Sequence, residues 1–71
     1  MNENTISVCV NGFNACMRGG TVSVFFTGGS LAGQAQWAEC DRNRPRFGWL
    51  MRYEDWAEIV DRIAAKLGEE S

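Results

Sequence analysis

Five large apolar side chains, Trp56, Ile59, Val60, Ile63 and Leu67, recur at spacings of three, one, three and four residues. That is the stripe an amphipathic helix lays along one face. A strand cannot present such a set on one side, because its side chains alternate with a period of two. The spacing therefore predicts a helix from Tyr53 to Leu67, with Ala64 at the edge of the stripe, packed on an apolar surface supplied by the preceding chain. Two starts are compatible with the residues. Asp55 followed by Glu58 has the form of a capping box, or the helix begins at Tyr53 with Glu54 and Asp55 at its positive end. Gly68 is the expected stop.

The preceding residues read as strands. Thr5 to Val10 alternates, with Ile6, Val8 and Val10 on one face and Ser7 and Cys9 on the other, and Asn11-Gly12 tolerates the positive φ of a tight turn. Phe13 to Arg18 fits a second strand or an irregular return. Gly19-Gly20 marks another turn. Thr21 to Thr27 is rich in β-branched and aromatic residues. Val22, Val24 and Phe26 share one side of it, and Phe25 on the other side suits a central strand or one partly covered on both faces. After Thr27-Gly28-Gly29-Ser30, the alternation of Gln34 to Cys40 predicts a strand, with a short helix from Leu31 to Trp37 as the alternative. Asp41 to Pro45 forms a turn, and Arg46 to Met51 a last short strand. The sum is a single α+β domain over residues 1–71, a small antiparallel β-sheet of three to five strands with one C-terminal amphipathic helix packed on a face.

A chain of 71 residues, 45% hydrophobic and 23% charged, has room for one modest core and is globular rather than disordered. The residues after Met1 lack the basic start and apolar run of a secretory signal, and no apolar stretch reaches the roughly 18 residues of a membrane span. A soluble, cytoplasmic protein with no membrane partner is expected.

Chemistry is sparsely provided for. There is no histidine, so the commonest general base is missing, and no serine or cysteine sits in a nucleophile motif. The acidic residues lie mostly on one exposed helical face, where nothing would separate their pKa values. No catalytic residue, and hence no enzyme, is expected. Gly28 to Gly33 follows a strand, yet Gly33 precedes Gln34 and Ala35 rather than the lysine and hydroxyl of a phosphate-binding loop. Cys9, Cys16 and Cys40 form no Cys-x-x-Cys pair, and only Glu39 or Asp41 could complete an unusual zinc site. Free buried thiols, with no metal or cofactor, are the simpler reading.

Two charged features remain. Arg42, Arg44, Arg46 and Arg52 crowd around Phe47 and Trp49, and arginines interleaved with aromatics can hold single-stranded nucleic acid by phosphate contact and base stacking. The same residues also fit a solvated loop beside core aromatics. On the helix, at about 100° per residue, Glu54, Glu58 and Asp61 fall together opposite Trp56 and Leu67. Glu54 and Glu58 repel at their spacing, which Arg62 offsets by pairing with Glu58. This row suits a partner, and equally a face that keeps the protein soluble.

Taken whole, the compact, mildly acidic α+β chain ending in Tyr53-Glu-Asp-Trp-Ala-Glu-Ile-Val-Asp-Arg-Ile resembles a small phage-encoded anti-CRISPR protein, closest to inhibitors of type I systems, type I-C included. The resemblance implies a non-catalytic inhibitor in the cytoplasm of the host bacterial cell. Its partner would be a Cas protein or CRISPR surveillance complex, without direct nucleic-acid binding. It would block target-DNA recognition, some such proteins doing so by acting as a DNA mimic. Glu54, Asp55, Glu58 and Asp61 are then the expected contacts. The alternatives are a nucleic-acid-binding module using Arg42, Arg44, Arg46, Phe47 and Trp49, or a protein-interaction subunit such as an antitoxin or assembly factor.

Overall fold

The computed structural model describes residues 5–45 and 51–70. Four strands, β1 (Ile6–Val10), β2 (Phe13–Arg18), β3 (Thr21–Phe26) and β4 (Leu31–Gln36), precede a turn of 3-10 helix at Trp37–Glu39 and the helix α1 (Tyr53–Glu70). The strands form one antiparallel sheet in the order β1-β2-β3-β4, so each pairs with the strand next to it in sequence. Turn chemistry enforces this. Asn11 and Gly12 take φ of 48° and 87°, and Gly19 and Gly20 take 60° and 85°. Paired left-handed residues in a two-residue loop match the right-handed twist of the strands they join. The first two connections are thereby hairpins, with Val10 opposite Phe13 and Arg18 opposite Thr21. Phe13 to Arg18 is thus a strand rather than an irregular return.

Alternation decides which face is buried. Ile6, Val8, Val10, Ala15, Met17, Val22, Val24 and Ala35 lie on one side of the sheet, and Trp56, Ile59 and Ile63 of α1 cover them at 0% exposure. Met51 joins the same cluster, with Phe13, Trp37, Val60 and Leu67 at its margin. The Phe13 and Phe26 rings, cross-strand partners, meet at 5.5 Å. β3 is an inner strand, and Phe25 on its other face is half-buried.

Three expectations are corrected. The strand placed at Gln34–Cys40 starts earlier, at Leu31, and ends at Gln36. Gln36 faces Thr21, the first residue of β3; beyond it the neighbouring chain turns away at Gly20, so Trp37 has no strand to pair with. Instead the Trp37 amide donates to the Gly20 carbonyl at 2.7 Å, and the Cys40 amide closes the 3-10 turn on the Trp37 carbonyl at 3.0 Å. Gly68 does not stop the helix, which runs through it to Glu70. Gly68 is absent from the positive-φ residues, so the left-handed cap that would end the helix there does not form. Ala64 is exposed, beyond the edge of the buried stripe. The strand expected at Arg46–Met51 falls on residues 46–50, outside those described; Met51 itself is buried in a bend.

The helix begins at Tyr53 rather than at a capping box. Arg52 ends the non-helical chain, and its carbonyl accepts from the amides of Asp55 at 3.0 Å and Trp56 at 3.1 Å. The Asp55 carboxylate turns back to the first hairpin, accepting from Asn11 Nδ2 at 2.6 Å. Trp56 secures the other flank, its indole N–H donating to the Asp41 carbonyl at 2.8 Å. These bonds run from the sheet's two sides to the first turn of α1 and fix where its outer face points.

Candidate interaction surface

The outer face of α1 carries Glu54, Glu58 and Asp61, as the periodicity requires, and each carboxylate has an arginine. Arg52 reaches Glu54 at 3.0 Å. Arg62 Nε donates to Glu58 Oε2 at 2.7 Å, one helical turn away. Arg42 grips Asp61 from the Asp41–Arg44 turn with two parallel bonds, Nε to Oδ1 and Nη2 to Oδ2, both 2.9 Å. That fork geometry is the strongest form of the interaction. It holds the Arg42 guanidinium above its ordinary pKa, first through the hydrogen bond to Asp61 and then through the Asp61 charge. An arginine so shifted stays protonated throughout the physiological range, so this bond is insensitive to pH on its basic side.

The turn that carries Arg42 is itself pinned. Asp41 Oδ1 accepts from the Asn43 amide at 2.9 Å, and the Asp41 carbonyl accepts from the Arg44 amide at 3.0 Å. Acidic row and arginine cluster, which read in sequence as rival surfaces, meet as one: Arg42 and Arg52 neutralise Asp61 and Glu54. Asp55 stands apart, half-buried and tied to Asn11, a structural link rather than a free contact. Arg44 is exposed on the turn. Arg46, Phe47 and Trp49 lie outside the described residues.

Among the described residues the cysteines form no disulfide with one another, but Cys9 is exposed rather than buried, because it occupies the solvent face of β1. Cys16 and Cys40 are half-buried. Cys9 Sγ donates to Asn14 Oδ1 at 3.0 Å and Ser7 Oγ to Cys16 Sγ at 3.7 Å, both between neighbouring strands. Among the described residues no three His, Cys, Asp or Glu side chains gather as a metal site would need. None of their helices is long and apolar enough to cross a membrane.

One feature escaped the sequence. A shallow groove of roughly 440 Å³ runs between β1 and the last turns of α1, lined by Ser7, Val8, Cys9, Arg62, Ala65, Lys66 and Glu69. It exists because β1 is an edge of the sheet and α1 lies beside it. Periodicity gives the faces of a strand but not its neighbours, so no signal within either segment could have revealed it.

Compared with models of known protein families, with curated proteins and with solved structures, the chain has no match.

Proposed function

We propose that this protein is a non-catalytic inhibitor that binds a subunit of a CRISPR effector complex in the bacterial cytoplasm and blocks target-DNA recognition. The observation that carries the reading is the bidentate Arg42–Asp61 bond, which welds the 41–45 turn to the outer face of α1. Together with Arg52–Glu54 and Arg62–Glu58, it makes one exposed surface on which both signs alternate in fixed positions.

Such a surface favours a protein partner over a phosphate-like masquerade. A mimic of DNA needs carboxylates whose charge is available to the partner's arginines, and here each carboxylate of the outer row is already answered within the chain. A mixed, pre-ordered array instead selects a partner of complementary pattern, fixing orientation and rejecting mismatched surfaces. Inhibition then follows from occupancy: a folded domain seated on the DNA-handling surface excludes the duplex sterically. The same pairing argues against the nucleic-acid module, since Arg42, one of its arginines, already holds a carboxylate, as does the neighbouring Arg52.

Charge reversal at Glu58 and Asp61 tests the surface. The double variant should weaken capture of the effector complex by on the order of tenfold or more and lose phage protection in a plating assay, with its circular dichroism unchanged. Undiminished inhibition by the folded variant would exclude this face as the interface. Failure of the unaltered protein to inhibit any type I system would remove the proposal altogether.

A further inference from the structure

Antiparallel pairing gives each residue of β1 a direction. The Asn11-Gly12 loop is closed by Val10 and Phe13, and the residues flanking a two-residue hairpin loop exchange both their backbone bonds. Val10, Val8 and Ile6 therefore bond to β2, while Ser7 and Cys9 turn their N–H and C=O groups away from the sheet. The Cys9 carbonyl is touched on that side by Arg62 Nη1, at a long 3.5 Å. Among the described residues no strand occupies this edge.

β1 also lacks the devices that keep an edge unpaired. It has no proline, no charged side chain and no bulge, and its outward-pointing residues are small and neutral. The opposite edge is protected in part, because the β3–β4 ladder carries a register shift at Val24/Phe25.

We propose that two copies of this chain associate through β1, antiparallel about a two-fold axis at Val8, joining their sheets into one of eight strands. The register is self-complementary: Ser7 of each copy faces Cys9 of the other and exchanges two backbone bonds with it, four in all. The helices agree with that axis. Arg62 touches the Cys9 carbonyl, and Ala65, three residues further along α1, lines the same groove as Val8. A two-fold axis at Val8 thus sets the two Ala65 side chains opposite one another, small enough for close approach. It also brings Arg62 of each copy toward Glu69 of the other, a pairing of opposite charges made twice by symmetry. The two surfaces share Arg62, which also pairs with Glu58; the partner proposed above otherwise uses the other flank of α1 and the 41–45 turn, so Ser7→Pro, which touches neither, tests the dimer by itself.

Sedimentation equilibrium over a range of concentrations reads the association. The unaltered protein should dimerise reversibly. Ser7→Pro removes two of the four bonds but none within the chain, since the Ser7 amide points outward. It should raise the dissociation constant by about tenfold or more, with circular dichroism retained. Arg62→Glu and Glu69→Arg should each weaken the dimer, and the double variant should recover it. A protein that remains monomeric to millimolar concentration overturns the pairing and leaves the edge to a strand of another protein. A dimer indifferent to Ser7→Pro, or a charge swap that fails to restore association, overturns this interface in favour of a different one.

Discussion

Gly12 and Gly68 make opposite demands of the same residue type. Gly12 sits at φ of +87° in the first hairpin loop, a conformation in which a Cβ crowds the following carbonyl. Its amide plane is also in use, the Gly12 carbonyl accepting from Thr27 N–H at 2.9 Å and from Thr27 Oγ1 at 2.6 Å. Gly68 lies within α1, and a Cβ built on it meets nothing within 4 Å. Its flexibility only enlarges the unfolded ensemble. Gly68→Ala should therefore stabilise the protein by about 0.5 kcal/mol, whereas Gly12→Ala should destabilise it by about 1–2 kcal/mol. Urea titrations of the two variants against the parent check the sign as well as the size. Equal effects would mean that the backbone at one of these positions is not as described.

At the scale of elements, Trp56 shows how one side chain serves both packing and direction. It is fully buried, and its N–H is spent on the Asp41 carbonyl. Trp56→Phe keeps an aromatic ring but leaves a gap and removes the donor, so a loss of about 2–3 kcal/mol is expected in chemical denaturation. The Arg42–Asp61 pair should loosen with it, since the same turn carries both, and Asp61 side-chain resonances would report that. Which parts of these elements were legible follows from their physics. The stripe of α1 and the hairpin loops were readable because helical periodicity and positive-φ glycines are local signals. The end of β4 was not, because the Gln34–Cys40 alternation continues past the point where β3 stops offering partners. Gly68 misled for a similar reason. A glycine near a helix end suits a left-handed cap but does not compel one.

Only the whole molecule brings the two charged features together. Arg42 and Asp61 are 19 residues apart, so nothing in sequence says that the arginine cluster folds onto the acidic row. The meander places β1 at one edge, the 41–45 turn crosses to the helix, and the two charged features meet. The same topology determines how stability is shared. Each strand pairs with its sequence neighbour, so sheet formation closes only short loops, and the slow long-range step is the docking of α1. That docking is also what pays for the sheet, whose apolar face is covered among the described residues by Trp56, Ile59 and Ile63, with Met51 beside them. A sheet with that face exposed to water has little to offset its ordering entropy. A chain ending at Arg52 should thus lose cooperative unfolding and the amide chemical-shift dispersion of a folded domain. The separate peptide from Tyr53 to Ser71 should be mostly unfolded, being near the length at which isolated helices are marginal in water. Mixing the two fragments should restore dispersed spectra, because the missing surface is then supplied in trans. Dispersed spectra from the truncated chain alone would show that the sheet has a core independent of α1, and that the helix is an appended surface rather than half of the fold.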